Sequence, residues 1–355
     1  MPNLWNWNVS YFRKGLSFFK LKHLILNLTI FSKVFFILIN NLNNMNSSKF
    51  KTIKSHIIIK IPLFIIIVLL NSCKENEKSV SKEIFVKKLI TQISEIDGDV
   101  ALAFYNLSTQ DEILINVNEN FHAASTMKVP VMIELYKQAA LNKIDLRDSI
   151  VLKNEFKSIV DGSLYTMDIG SDGDDVIYSQ IGTKVSINYL IYQMITVSSN
   201  LATNVLIDMV GAKNVTSSMR LLGADKIEVL RGVEDIKAYE QGLSNDTTAK
   251  DLLTIMKAIA TNEAGSKQDC SEMIAILKDQ KFNEIIPKYL PNNVSVAHKT
   301  GSITGVHHDA GIVYLPNGES YVLVLLSKNL KDFDKGTDQL ARISESIFNY
   351  VSNDK

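Results

Sequence analysis

The spacing of apolar and polar residues changes along the chain, and those changes divide it into elements. "KEIFVKKLITQIS" (82–94) carries its apolar residues at helical spacing and reads as an amphipathic helix. "DVALAFYNL" and "DEILINV" read as two strands joined by the polar turn "STQ". "VPVMIELYKQAALNK" is apolar at Val131, Met132, Leu135 and Ala139, close to a 3.6-residue period. Pro130 is tolerated only near a helix start, so this helix should begin close to Ser125. "DGSLYTMDIGSDGDD" (161–175) is rich in turn residues and has no period, so it reads as a loop. Helical patterns then follow one another from 185 to 280. "VSVAHKTG", "AGIVYLPNGESYVLVLL" and "TDQLARISESIFNYV" read as strand, hairpin and helix, with Pro316, Asn317 and Gly318 in the hairpin turn. There is no internal repeat. Strands at both ends and helices between them predict an α+β domain whose N- and C-terminal strands share an antiparallel sheet.

Ahead of this pattern stands a different kind of sequence. Residues 1–72 hold nine Lys or Arg and no acid. The whole chain has 38 basic and 38 acidic residues, which leaves 29 basic against 38 acidic for 73–355, a net charge of −9. A basic leader on an acidic body suggests an export signal and argues against nucleic acid as a partner. Lys49, Lys51, Lys54 and Lys60 precede the apolar run "IPLFIIIVLL" (61–70), the order of a secretory signal and too short to span a bilayer comfortably. Residues 1–44 fit neither a signal nor a good span, and Met45 offers a normal signal start, so they read as an upstream extension from a misplaced start codon. The expected organisation is therefore a signal peptide over 45–72, a charged tether over 73–82 and one domain over 83–355. Apolar residues make up 46% of the chain, enough for a sizeable core. Of the two cysteines, Cys270 sits in a helical pattern, and no internal disulfide is expected.

Three short polar motifs interrupt the apolar pattern. In "FHAASTMKVP", Ser125 stands three residues before Lys128 at a helix start, so that the two share a face. Taken alone, Ser125 is either a nucleophile with a lysine one turn along or a helix cap. In "TVSSNLATN", Ser198 and Asn200 fall at the break between two helical patterns, with Asn204 one turn beyond Asn200. In "AHKTGS", Lys299 and Thr300 on a strand can hold an anion, and Gly301 lets a ligand approach the backbone or marks a bulge. His307, His308 and Asp309 read as loop and strand-start residues, because no zinc-type ligand set accompanies them. His122 and His298 read as structural.

Taken together and in order, Ser-x-x-Lys, Ser-x-Asn and Lys-Thr-Gly resemble the set found in serine penicillin-recognising enzymes, and residues from about 83 to 352 resemble a class A β-lactamase-like serine hydrolase. "LRGVEDIKAYEQGLSNDTTAKDL", whose Glu234 lies 36 residues beyond Ser198, is similar to the omega loop of that family. The resemblance implies a β-lactamase that confers β-lactam resistance, with Ser125 as nucleophile and either Lys128 or Glu234 through a water as its base. It implies Ser198 as the proton donor to the leaving nitrogen, and Lys299, Thr300 and Ser302 around the substrate carboxylate with Gly301 beside them. It implies Asn200 on the substrate amide, Asn204 in support and Glu234 as the base for deacylation. Arg231 and Asp246 would close the loop by a salt bridge, and Thr247 or Asp246 would cap the next helix. No cofactor or metal is implied, and a monomer is expected.

Three positions depart from the family pattern. Ser199 replaces an aspartate. Ala238 stands where many relatives have an asparagine that helps hold the hydrolytic water, and Lys237 beside it can pair with Glu234. No arginine occurs in "SITGVHHDAGIV", where many relatives place one near the carboxylate. The rival readings are a penicillin-binding DD-peptidase, acylated but slow to turn over, and a non-catalytic binding protein on the same fold.

Leu70, Asn71, Ser72 and Cys73 resemble a lipoprotein signal, which implies a lipid on Cys73 as the mature N-terminus. Lys74 after it favours, by the same resemblance, the outer membrane facing the periplasm or the cell surface. Two or more acyl chains would anchor the protein stably. The full-length protein should take up labelled palmitate and Cys73→Ala should not; equal labelling of both would exclude a lipid on Cys73.

Overall fold

The computed structural model describes residues 81–353. The leader, Cys73 and the tether up to residue 80 lie outside the described residues. Helix α1 spans 81–94. Strands β1 (Asp99–Asn106) and β2 (Glu112–Ile115) follow, and β3 (Ser295–Ile303), β4 (Val306–Tyr314) and β5 (Ser320–Lys328) come late in the chain. These five make one antiparallel sheet in the order β2-β1-β5-β4-β3, so the two ends of the domain meet where β1 pairs with β5. The hairpin turn forms at 315–319, with Gly318 at φ +87°, a value that suits glycine.

Successive strand residues face opposite sides of a sheet. Here both sides are covered, so β1 and β5 are apolar almost throughout. Leu102, Phe104, Leu323 and Leu325 face α1 and the C-terminal helix, where they pack with Leu89, Leu340 and Ile343. Ala101, Ala103, Val322 and Val324 face the helical body. Three of the body's helices matter most for the site: α2 (Lys128–Ala140), α3 (Ile187–Thr196) and α4 (Asn200–Val210). α2 is buried on nearly all sides, which accounts for its long apolar run. Its few polar residues are paired: Gln138 Nε2 donates to Glu134 Oε1 at 2.7 Å, and Ser218 donates to the same carboxylate.

The boundaries differ from expectation in three places. Ser125 is not a helix cap. A 3₁₀ turn, Ala124–Met127, precedes α2, with Ala123 in the capping position and no side-chain cap. After the omega-type loop, Asp246–Thr247 pair as a short strand with Phe121–His122, so the next helix (Ala249–Ala260) starts later. Thr248 caps it, accepting from Asp251 N at 3.1 Å. His307, His308 and Asp309 lie inside β4, and its core pairing engages them.

Candidate active site

The sheet edge, the turn before α2 and the α3–α4 junction converge on one cleft. Ser125 belongs to the 3₁₀ turn and sits between two lobes of that cleft. One lobe, about 370 Å³, is lined by Ser125, Asn200, Glu234, Tyr239 and Ser302. The other, about 310 Å³, is lined by Ser125, Ser198, Thr300, Ser302 and His307.

Lys128, one turn beyond Ser125, is fully buried. Its three N–H donors meet Ser198 O at 2.7 Å, Ser198 Oγ at 3.1 Å and Asn200 Oδ1 at 2.9 Å. The Ser125 hydroxyl is not among its partners. Lys299, also fully buried, donates to Ser198 Oγ at 3.1 Å and to Thr300 O at 2.9 Å. Two lysines therefore share one hydroxyl oxygen. Burial pushes Lys128 down to about 7, with Asp172 and Glu234 opposing the shift. Burial, and then the neighbouring Lys128 charge, hold Lys299 well below its ordinary value.

Asn200 links the lysine to Glu234. Its Oδ1 accepts from Lys128 and its Nδ2 donates to Glu234 Oε1 at 3.2 Å. The Glu234 carboxylate can only accept, so it takes the amide N–H and leaves the amide oxygen to Lys128. Asn204, one turn on, grips the loop that carries Glu234: its Oδ1 accepts from Val233 N at 2.7 Å and its Nδ2 donates to Val233 O at 3.0 Å.

The expected Arg231–Asp246 salt bridge does not form. Arg231 is buried, and its guanidinium donates to Leu243 O at 2.8 Å and Gly232 O at 2.9 Å, inside its own loop. Asp246 accepts instead from Asn120 Nδ2 at 3.0 Å. Loop closure falls to Asn245. Its Oδ1 accepts from Leu230 N at 2.8 Å and Arg231 N at 3.2 Å, and its Nδ2 donates to Arg231 O at 3.0 Å. Its backbone O also accepts from Ala123 N at 2.7 Å, tying the loop to the turn that carries Ser125. Lys237 pairs with Asp161 at 2.8 Å rather than with Glu234. Asp235, next to Glu234, is buried and accepts from Ser158 Oγ, Ile159 N and Ala238 N, so its carboxylate is used in holding the loop.

Asp172 belongs to none of the three motifs, yet it supports the site. This loop residue accepts from Asn200 N and Leu201 N, both at 2.8 Å, and from Tyr178 OH at 2.9 Å. A carboxylate on the exposed amides of a helix N-terminus stabilises that end. Ser199, where the family pattern has aspartate, caps the same helix by accepting from Ala202 N at 3.2 Å. The only available signal was the density of Asp and Gly in "DIGSDGDD". Gly173 in that stretch lies so close to the α3–α4 junction that a Cβ there would stand 2.2 Å from Val197 O.

Backbone strain is concentrated at the site. Among the described residues, the non-glycine residues with positive φ are Asn or Gln except for Ala124 (φ 45°), Ser198 (φ 59°) and Glu234 (φ 61°). Each such residue costs on the order of 1–3 kcal/mol and must be held by its surroundings. His122 Nδ1 accepts from Ala124 N at 3.0 Å, which supports the first of them. Gly301 permits the close approach of β3: a Cβ there would stand 3.0 Å from Ser125 N and 3.1 Å from Thr126 N. Among the described residues no cluster of His, Cys, Asp and Glu could hold a metal. His298 Nδ1 is 2.8 Å from Asp309 Oδ1, a buried pair between neighbouring strands.

Residues 83–351 match the model of the Beta-lactamase enzyme family. A β-lactamase of Bacillus licheniformis is 22% identical over 271 residues, which cover 75% of this chain and 82% of that protein. The crystal structure of a β-lactamase from Sphaerobacter thermophilus superposes with a TM-score of 0.64 at 24% identity, covering 76% of this chain and 98% of that one. The structure of PBP-A gives a TM-score of 0.65 at 23% identity, covering 76% and 96%.

Asn245→Ala should lower stability by about 2–3 kcal/mol, because it strands buried backbone groups at both ends of the loop. Limited proteolysis should then cut between residues 232 and 244 before global unfolding. Asp246→Ala should leave that segment protected. Equal cleavage of the two variants would contradict closure through Asn245.

Proposed function

The chain belongs to the β-lactamase enzyme family, and on that footing we propose that it hydrolyses β-lactams as a class A serine enzyme, through an acyl ester on Ser125. The observation that carries this reading is the hydrogen-bonded line from Lys128 through Asn200 to Glu234, in the cleft that holds Ser125. A serine hydroxyl needs a base within reach. With its pKa lowered to about 7, Lys128 is substantially neutral near neutral pH and can take the Ser125 proton once substrate draws the groups together. The Ser125 oxygen attacks the lactam carbonyl, and the backbone N–H groups of Ser125 and Ser302 hold the oxyanion, each contributing about 3–4 kcal/mol. Ser198, bonded to both lysines, returns a proton to the departing nitrogen. Glu234 then deprotonates a water that attacks the ester and frees Ser125.

The second reading is a penicillin-binding DD-peptidase-type protein that is acylated and turns over poorly. It is favoured by Ala238, whose methyl group is completely buried and offers no amide to a hydrolytic water. With the Cys73 lipid implied by the sequence, either protein would work outside the cytoplasm on a membrane surface.

Fluorescent penicillin should label the wild type and not Ser125→Ala. Glu234→Gln should show a burst and then stall, with deacylation slowed on the order of 10²–10⁴. Mass spectrometry would show the adduct on Ser125. Equal, fast deacylation in wild type and variant removes Glu234 from the role; equal, negligible deacylation makes the protein a penicillin-binding one.

If Lys128 is the acylation base, the acylation rate should rise as pH climbs through about 7, since only the neutral amine accepts a proton. Lys128→Arg stays protonated and should flatten that rise. An unchanged pH profile in the variant would transfer the role to Glu234 acting through water.

A further inference from the structure

The lobe beside β3 is lined by the hydroxyl residues Ser125, Ser198, Thr300 and Ser302, by one imidazole, His307, and by one carboxylate, Glu284. His307 lies directly across from Ser302 in the β3–β4 register. Its ring stacks on Phe333, with centroids 4.8 Å apart and planes 14° apart. Its Nδ1 is 2.8 Å from Thr337 Oγ1. The Thr337 hydroxyl already donates its proton to Phe333 O at 2.8 Å, so its oxygen accepts from the ring and Nδ1 carries the hydrogen. The other ring nitrogen, Nε2, has no hydrogen-bond partner among the described residues. A neutral ring therefore brings a bare lone pair to this lobe, and a protonated ring brings an N–H donor with charge.

Lys299 does not present a free charge to this lobe. It is buried behind the lobe, bonded to Ser198 and Thr300 O, and burial beside Lys128 disfavours its charge. Penicillins and cephalosporins carry a carboxylate next to the lactam nitrogen, and this lobe adjoins Ser125. We infer that His307 is the group that recognises the substrate carboxylate, taking up a proton at Nε2 as the anion binds between it and the Thr300 and Ser302 hydroxyls. This inference rests on the β-lactam reading given above.

The surroundings of His307 make that proton depend on the ligand. Burial holds His307 below its ordinary value, outweighing Asp309, two residues along β4, and Glu284 on the same lobe, both of which favour the charged ring. From β5, Ser327 Oγ accepts from the His307 backbone N–H, and from the C-terminal helix Phe333 and Thr337 face the ring; none of the three is ionisable. His308, next along the strand, bonds His122 O and Ser327 N instead. A bound carboxylate adds the missing favourable term. Binding should then consume a proton, and affinity should rise as pH falls towards the pKa of the empty site.

The Ser125→Ala protein cannot form the ester, so it reports binding apart from chemistry. Its dissociation constant for benzylpenicillin, measured by calorimetry from about pH 5 to about pH 8, should tighten by up to about tenfold per unit of acidification. Up to one proton should be taken up, read from buffers of different ionisation enthalpy. His307→Leu in that background should lose both the slope and the uptake. His307→Arg should bind tightly with no slope, and provides the check should the leucine variant misfold. Binding without proton uptake, or an unchanged slope in His307→Leu, overturns the assignment and leaves the β-lactam reading standing. No binding by Ser125→Ala, together with no acylation of the wild type, overturns both.

Discussion

A lysine cut off from water must be surrounded by acceptors or give up its proton, and much of this site follows from how Lys128 meets that constraint. Its partners are a backbone carbonyl and two side-chain oxygens, all supplied by the α3–α4 junction. Presenting both the carbonyl and the hydroxyl of Ser198 to one amine goes with the positive φ of that residue. The junction is in turn held by Asp172 on the first amides of α4 and by Ser199 as cap. A loop carboxylate and a short hydroxyl residue thus share the task of terminating the helix end on which the lysine depends.

The same lysine orients the rest. Because Lys128 occupies Asn200 Oδ1, the Asn200 N–H₂ group is left to face Glu234. Glu234 can stand there because its loop is clamped at several points: Asn204 on Val233, Asp235 on Ser158 and Ile159, and Asn245 across the loop ends. Neutral amides and one buried carboxylate do this work, and the Arg231 guanidinium serves the loop's own carbonyls. Such closure does not depend on an ion pair, which salt would screen if it were exposed.

The two lobes beside Ser125 differ in chemistry. On one side, Glu234 and Asn200 form a polar pair in a lobe that Tyr239 also lines. On the other, hydroxyls, a single imidazole and the Glu284 carboxylate line the space, and Lys299 is buried. The absence of an arginine in β4 therefore has a local counterpart in His307, whose charge depends on pH where a guanidinium's does not.

Much was legible in the sequence. The period changes marked the sheet strands and the main helices, because a strand or helix buried on one or both faces must carry that pattern. The motifs placed Ser125, Lys128, Ser198 and Asn200 at element ends, since glycine, proline and capping residues punctuate the chain locally; Lys299 lies instead in the middle of β3, which continues past Gly301 to Ile303. What the sequence could not show depends on groups distant along the chain. Asp172 lies in a stretch that reads only as loop, yet it meets Asn200 in space. Asn245 closes a loop that the charges of Arg231 and Asp246 were expected to close, because burial turned the guanidinium inward to carbonyls. Lys237 reaches Asp161, far away in sequence, instead of its near neighbour Glu234. The left-handed conformations of Ala124, Ser198 and Glu234 leave no trace in residue type, since those residues adopt them only when tertiary contacts hold them there. Local pattern determined the elements and the order of the polar motifs along them; the partners, the protonation and the strain of those motif residues were decided by packing, because hydrogen bonding and desolvation depend on distance in space and not along the chain.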